Sequence, residues 1–119
     1  DTTIDCNGAE LRGSGAYLIN IKRSADRAQV KNCYLRGGKG LAVRVRQPRG
    51  EETPEEVRSL APEGVVLQNL QISDSEGVGV HLHVYTTGVT IKDSIIINNR
   101  VGSFFFFSFY FLLLSCVFF

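Results

Sequence analysis

Val30-Lys31-Asn32-Cys33-Tyr34-Leu35 sets an apolar residue, a charged one and a turn-former in its first three places and closes on an apolar residue. The chain repeats the pattern as Leu67-Gln68-Asn69-Leu70-Gln71-Ile72 and as Ile91-Lys92-Asp93-Ser94-Ile95-Ile96. Working outward from these runs, the apolar positions fall into columns. One holds Ile4, Ala28, Val65 and Val89, and a second Cys6, Val30, Leu67 and Ile91. A third holds Leu11, Leu35, Ile72 and Ile96, and a fourth Ile19, Val43 and Val80. The steps are 24, 37 and 24 residues, so the middle step is one period with about thirteen residues added. Self-similarity at such a period marks a stacked architecture, in which no single repeat can bury its apolar face alone.

Within each repeat apolar and polar residues alternate over short runs, as in Val43-Arg44-Val45-Arg46 and Val80-His81-Leu82-His83. Period two means strand. Between the runs stand turn-formers: Asn32, Asn69 and Asp93 share a column with Gly8, and Gly40 and Gly77 share one with Ala16. Gly, Asn and Asp reach positive φ at low cost, so these columns predict corners. Three short strands and three corners in about 24 residues predict one rung of a right-handed parallel β-helix, each rung bonded to the next about 4.8 Å away. The expected fold class is therefore all-β, a solenoid of about four rungs over residues 1–103.

These phrases, with the opening Thr3-Ile4-Asp5-Cys6-Asn7-Gly8-Ala9-Glu10-Leu11, resemble the right-handed parallel β-helix repeats of the pectin-lyase-like superfamily over roughly residues 3–103. The resemblance implies the fold. For function it implies a range, because that superfamily hosts polysaccharide lyases, glycoside hydrolases, epimerases, tailspikes and non-catalytic adhesins. It also implies an extracellular, periplasmic or cell-surface location. Asparagines at the corner before the third strand stack into a ladder in this family, and Asn32 and Asn69 fit that role; with Gly8 and Asp93 beside them the expected ladder is short. Four rungs without a capping helix or an initiator Met read as a segment of a longer solenoid.

Net charge is +1, with Lys and Arg interspersed among Asp and Glu, which argues against nucleic acid as partner. Cys6, Cys33 and Cys116 have neither metal-site nor redox-motif spacing and predict buried free thiols acting as small hydrophobes. A Cys6–Cys33 bridge would join neighbouring rungs, but the columns set the two on different sides of a corner. Residues 47–63 hold all three prolines and account for the long step. There Thr53, Pro54 and Glu56 have the form of a helix start, predicting one or two turns from about Pro54 to Leu60 on a loop excursion.

Candidate chemistry follows from the alternation. With Val43, Val45, Val80 and Leu82 inward, Asn20, Arg44 and His81 form one outer line, and Lys22, Arg46 and His83 the next. Asp74 and Glu76 stand on the loop feeding this face. The six residues Arg44, Arg46, His81, His83, Asp74 and Glu76 are thus the candidate ligand face. Arginines there would clamp the carboxylates of an acidic polysaccharide and an imidazole would shuttle a proton; Asp74 and Glu76 would alternatively form a hydrolase pair. The solvated outer face of a sheet has the same alternation. No metal site is expected, since His81 and His83 have no evident third ligand unless Asp74 or Glu76 supplies it. Calcium enters only through the resemblance, and the acid cluster that holds it in pectate lyases is absent. The functional expectation is a β-helix that binds or processes polysaccharide, and its rival is a non-catalytic structural or adhesive solenoid.

Residues 104–119 are uncharged and Phe-rich. As a helix they fall near the lower length limit for a membrane span, roughly 17 residues, and a membrane partner is expected only on that reading. Almost every residue of the run has codons beginning with T, as out-of-frame translation of a T-rich stretch would give. Phe occupies 104 to 107, where inward and outward residues should alternate, so the strand code ends near Ser103 and the tail reads as lying outside the β-helix, the remaining alternative being a genuine final strand.

Overall fold

A computed structural model describes residues 2–22, 25–39, 41–45, 55, 62–82, 88–106 and 112–118. Ten strands are described: β1 (Thr3–Asp5), β2 (Glu10–Gly13), β3 (Tyr17–Ile21), β4 (Gln29–Gly37), β5 (Leu41–Val45), β6 (Val66–Ser73), β7 (Val78–Leu82), β8 (Val89–Ile97), β9 (Gly102–Phe106) and β10 (Leu112–Phe118). They form two sheets with every pairing parallel, one ordered β1-β4-β6-β8-β10 with β2 also on β4, the other β3-β5-β7-β9. The chain alternates between the sheets, each strand pairing with its counterpart one period later. The protein is all-β, with extended parallel pairing.

The hydrogen-bond register repeats the column spacing: Val30 pairs with Leu67 and Leu67 with Ile91, while Val43 pairs with Val80. The inward columns are buried from the second repeat on, whereas Ile4 and Leu11 of the first are exposed. Leu35, Ile72 and Ile96 are fully buried, as are Val43, Val45 and Val80. Each such side chain contributes about 1.5–3 kcal/mol relative to exposure. The long strands β4, β6 and β8 bend in mid-course at Asn32 (φ +58°), Asn69 (+52°) and Asp93 (+53°). A second left-handed column, Gly37, Asp74 and Asn98, ends those strands, and a third, Arg27, Gly64 and Gly88, precedes them. Turns in the chain are thus placed by residues in one backbone conformation stacked at the repeat spacing.

The first repeat departs from the expected columns. Ile4 pairs with Val30, not Ala28, whereas Glu10 pairs with Tyr34 at the regular spacing. Between Asp5 and Glu10 lie four residues where β4 has two, Asn32 and Cys33, so two residues are extra in this corner. Asn7 and Gly8 absorb them at φ +53° and +86°. The shift carries Cys6 onto the corner beside Cys33, and the two form a disulfide with Cα atoms 4.9 Å apart. The expectation of free thiols at these positions is therefore corrected: column arithmetic ignored the enlarged corner.

Of the 47–63 insertion, the described residues are Glu55, which is helical, Pro62, which is buried, and Glu63. The rest of the expected 54–60 helix lies outside the described residues. Glu63 anchors the end of the insertion: its carbonyl accepts from Arg27 N and its N–H donates to Asp26 Oδ1. At the tail, backbone pairing runs past Ser103. Phe104 pairs with Val80 and Phe106 with Leu82, and β10 lies along β8 with a register shift between Ser115 and Cys116. A parallel ladder needs only N–H and C=O groups, so the open edges of β7 and β8 accept strands whose side chains do not alternate. Among the described residues no helix is long and apolar enough to cross a membrane.

Candidate functional site

Alternation on β3, β5 and β7 brings Asn20 beside Arg44 and Arg44 beside His81 in the register. The Arg44 guanidinium lies over the Tyr17 ring, 5.2 Å from its centroid, a cation–π contact. Asn20 Oδ1 is buried without a hydrogen-bond partner among the described residues. His81 is half-buried, and burial, then the charge of Arg44, depresses its pKa below the ordinary histidine value. The imidazole is accordingly neutral at physiological pH, beside a fixed cation. Arg46 and His83, the other two expected members of this face, lie outside the described residues.

The two acids do not join Arg44 and His81. Asp74 sits at a left-handed corner (φ +60°), where its carboxylate accepts from Arg36 Nε at 2.8 Å. That hydrogen bond and the carboxylate charge raise the Arg36 pKa. Arg36 projects outward from the second half of β4, so Asp74 belongs to the neighbouring face. Glu76 is exposed and its N–H donates to Gly38 O. Thus the structure brings Arg44 and His81 together and leaves Asp74 with a different partner.

That neighbouring face holds the described hollows. Beyond the Asn corner, Leu35, Ile72 and Ile96 point in, so the flanking residues point out: Glu10, Tyr34, Gln71 and Ile95 on one line, Arg12, Arg36, Ser73 and Ile97 on the next. A concavity of about 430 Å³ is lined by Glu10, Tyr34, Arg36, Gln71, Ser73, Asp74, Ile97 and Asn98, with Leu35. A second, of about 390 Å³, runs toward the Asn corner and includes Asn7, Asn32, Asn69 and Asp93. Tyr34 and Gln71 border both. The two hollows therefore form one groove along the strands, with Tyr34 49% exposed in its middle. Glu10 also holds Arg12, 3.1 Å away.

An amide ladder edges the groove. Asn69 Nδ2 donates to Asn32 Oδ1 at 2.8 Å, and Asn32 Nδ2 donates to Asp5 Oδ1 at 3.0 Å. Asp5, not Gly8, begins the ladder, because of the two extra residues in the first corner. The Asn7 backbone N–H and then the Asn32 amide hold the Asp5 carboxyl below the usual carboxylate range. On the buried side of the next corner, Asn99 Oδ1 accepts from Ser75 N (3.1 Å) and Ser75 Oγ (2.9 Å). These corner amides fix the strands that display the groove.

Sequence reasoning missed Glu10, Tyr34, Arg36, Gln71 and Ser73. Their signal was available: they are the outward partners of the columns that place Leu35 and Ile72 inward. No protein-family model matches this chain, nor does any curated protein or solved structure. Geometry and chemistry alone therefore carry the functional reading.

Proposed function

We propose that the chain folds as a right-handed parallel β-helix that binds polysaccharide along the groove crossed by β2, β4, β6 and β8. The fold reading is supported by parallel strands returning to the same sheet after 24 residues, or 37 across the insertion, a connection that is right-handed in about 98% of cases, and by the three left-handed corner columns. The observation that carries the binding reading is Tyr34, an aromatic ring exposed on a sheet face between Glu10 and Gln71. An aromatic face ringed by carboxylates and amides suits a sugar, whose C–H face packs on the ring while its hydroxyls meet the polar rim. Binding is favoured over turnover because Asp74 is committed to Arg36. The Cys6–Cys33 bridge supports an oxidising, extracytoplasmic location.

The test is retention in polysaccharide-impregnated native gels. Tyr34→Ala is expected to weaken the retardation about fivefold to tenfold, and Arg44→Ala to leave it in place. Loss with Arg44→Ala alone would move the site to the β3-β5-β7 face. Retardation absent for every polysaccharide would favour the structural or adhesive solenoid.

A further inference from the structure

Resting on that reading of the groove, we infer that its ligand is a neutral glycan and that the groove rejects polyuronates. The charges lining it are three carboxylates, Glu10, Asp74 and Asp93, against the single guanidinium of Arg36. That guanidinium is bound to Asp74 at 2.8 Å. Arg12, just outside the lining, is held by Glu10. Arg36 and Arg12 are thus each held by an acid already in place, and among the described lining residues carboxylates outnumber guanidinium groups. An anionic sugar would bring its charge against like charge and would have to displace an existing ion pair to reach a cation. A neutral sugar meets no such opposition. Its hydroxyls donate to the remaining lone pairs of the Glu10 and Asp74 carboxylates and exchange hydrogen bonds with the Gln71 amide.

Dimensions agree with a short chain of sugars. From the Asn69 corner to the Asp74 corner the groove follows five residue steps of β6, about 17 Å at roughly 3.3 Å each. Tyr34 stands near the centre of that run, one strand away through its pairing with Gln71. The inference reverses the acidic ligand that Arg44 and Arg46 suggested on the other face. Arg44 does not line this groove, and Asp74, one of the two acids expected beside it, lines it instead.

The experiment compares retention of the full chain on neutral glucans, mannans and galactans with retention on polygalacturonate and alginate, at low and physiological salt. Retention by a neutral glycan, with none by the polyuronates, supports the inference. Tyr34→Ala should weaken it about fivefold to tenfold, and Tyr34→Phe should preserve the ring and most of the binding; thermal melts establish that both variants fold. In Glu10→Gln/Asp74→Asn, loss of two charges should raise polygalacturonate retention about fivefold at low salt. A polyuronate held more tightly than every neutral glycan, with that retention lost in Tyr34→Ala, would overturn the inference while sparing the groove as a site. Absence of retention on all of them would sink the underlying reading and the inference with it.

Discussion

Removing the Cys6–Cys33 bridge should make the first repeat open more often and leave the others unchanged. The bridge closes a separation of 27 residues, and the loop-entropy relation gives about 3.5 kcal/mol at 25 °C for such a loop. Little else holds this end. Every residue of β1 and β2 is exposed, and the β1 arm is held largely by backbone bonds such as Gln29 N to Thr2 O, Cys6 N to Lys31 O and Gly8 N to Asn32 O. At about 1 kcal/mol net for each bond, those three together are comparable to the bridge alone. In Cys6→Ala the free energy of opening residues 2–9 should therefore fall by up to about 3.5 kcal/mol, raising exchange of the Gly8 amide up to about 400-fold. Hydrogen exchange read by NMR or mass spectrometry measures this directly. Amides of β6 and β8, which are paired on both sides within the sheet, should exchange as before. A uniform rise across β1, β6 and β8 would refute local release, and an unchanged Gly8 would refute the claim that the bridge holds the repeat.

Three further outcomes follow from named contacts. Asn69→Ala loses the amide bond to Asn32 and puts at φ +52° a residue without the local side-chain hydrogen bonding that lets asparagine adopt it, costing about 2–3 kcal/mol; Asn69→Gly keeps the turn and should lose only about 1 kcal/mol. Denaturant midpoints should rank wild type above Asn69→Gly above Asn69→Ala, and the reverse order of the variants would contradict the ladder. Gly37→Ala should cost at least about 2 kcal/mol, since its φ is +94° and the added Cβ would lie 2.7 Å from the Gly13 carbonyl oxygen; a melting temperature within a degree of wild type would contradict that contact. The depressed His81 pKa makes the unfolded chain bind more protons just below pH 6.5, so stability should fall as pH drops from 6.5 through the folded value and stay level above it. His81→Gln should flatten that part of a Tm-against-pH curve, leaving the separate loss below pH 3.8 where Asp5 titrates.

The interior was legible because period and alternation report burial. Leu35, Ile72, Val43 and Val80 stand inward where the columns put them. The corner residues were legible for a related reason: Asn32, Asn69 and Asp93 are types that accept positive φ, and they do. Arg27 at φ +55° was not, because its neighbours in the column, Gly64 and Gly88, carry the signal and it does not. The first repeat was misread where a fixed period met a corner enlarged by two residues. Among the candidate residues, position on a strand was easier to read than direction at a corner. Arg44 and His81 follow from alternation. Asp74 sits on a left-handed residue, where the chain turns and period two no longer says which sheet a side chain serves. The groove itself was hidden in plain alternation, because the outward columns at Tyr34 and Arg36 carry neither histidines nor paired acids.

The enlarged first corner links the bridge to the groove. Its two extra residues bring Cys6 to Cys33, make Asp5 the first member of the amide ladder, and set Asn7 and Gly8 on the groove's edge. Glu10, immediately after it, supplies one wall. Opening the first repeat therefore removes part of the site, yet loss of the bridge should hardly change binding. Apparent affinity scales with the fraction of molecules whose repeat is closed. If about 2 kcal/mol of closing free energy survives in Cys6→Ala, about 97% of molecules remain competent, and glycan retention should match wild type within error. The bridge would then protect the first repeat against fraying and proteolysis without tuning its ligand. A tenfold fall in retention, with β6 and β8 still protected from exchange, would require about 90% of the molecules to be open, and would show that the disulfide is all that keeps the first wall of the groove in place.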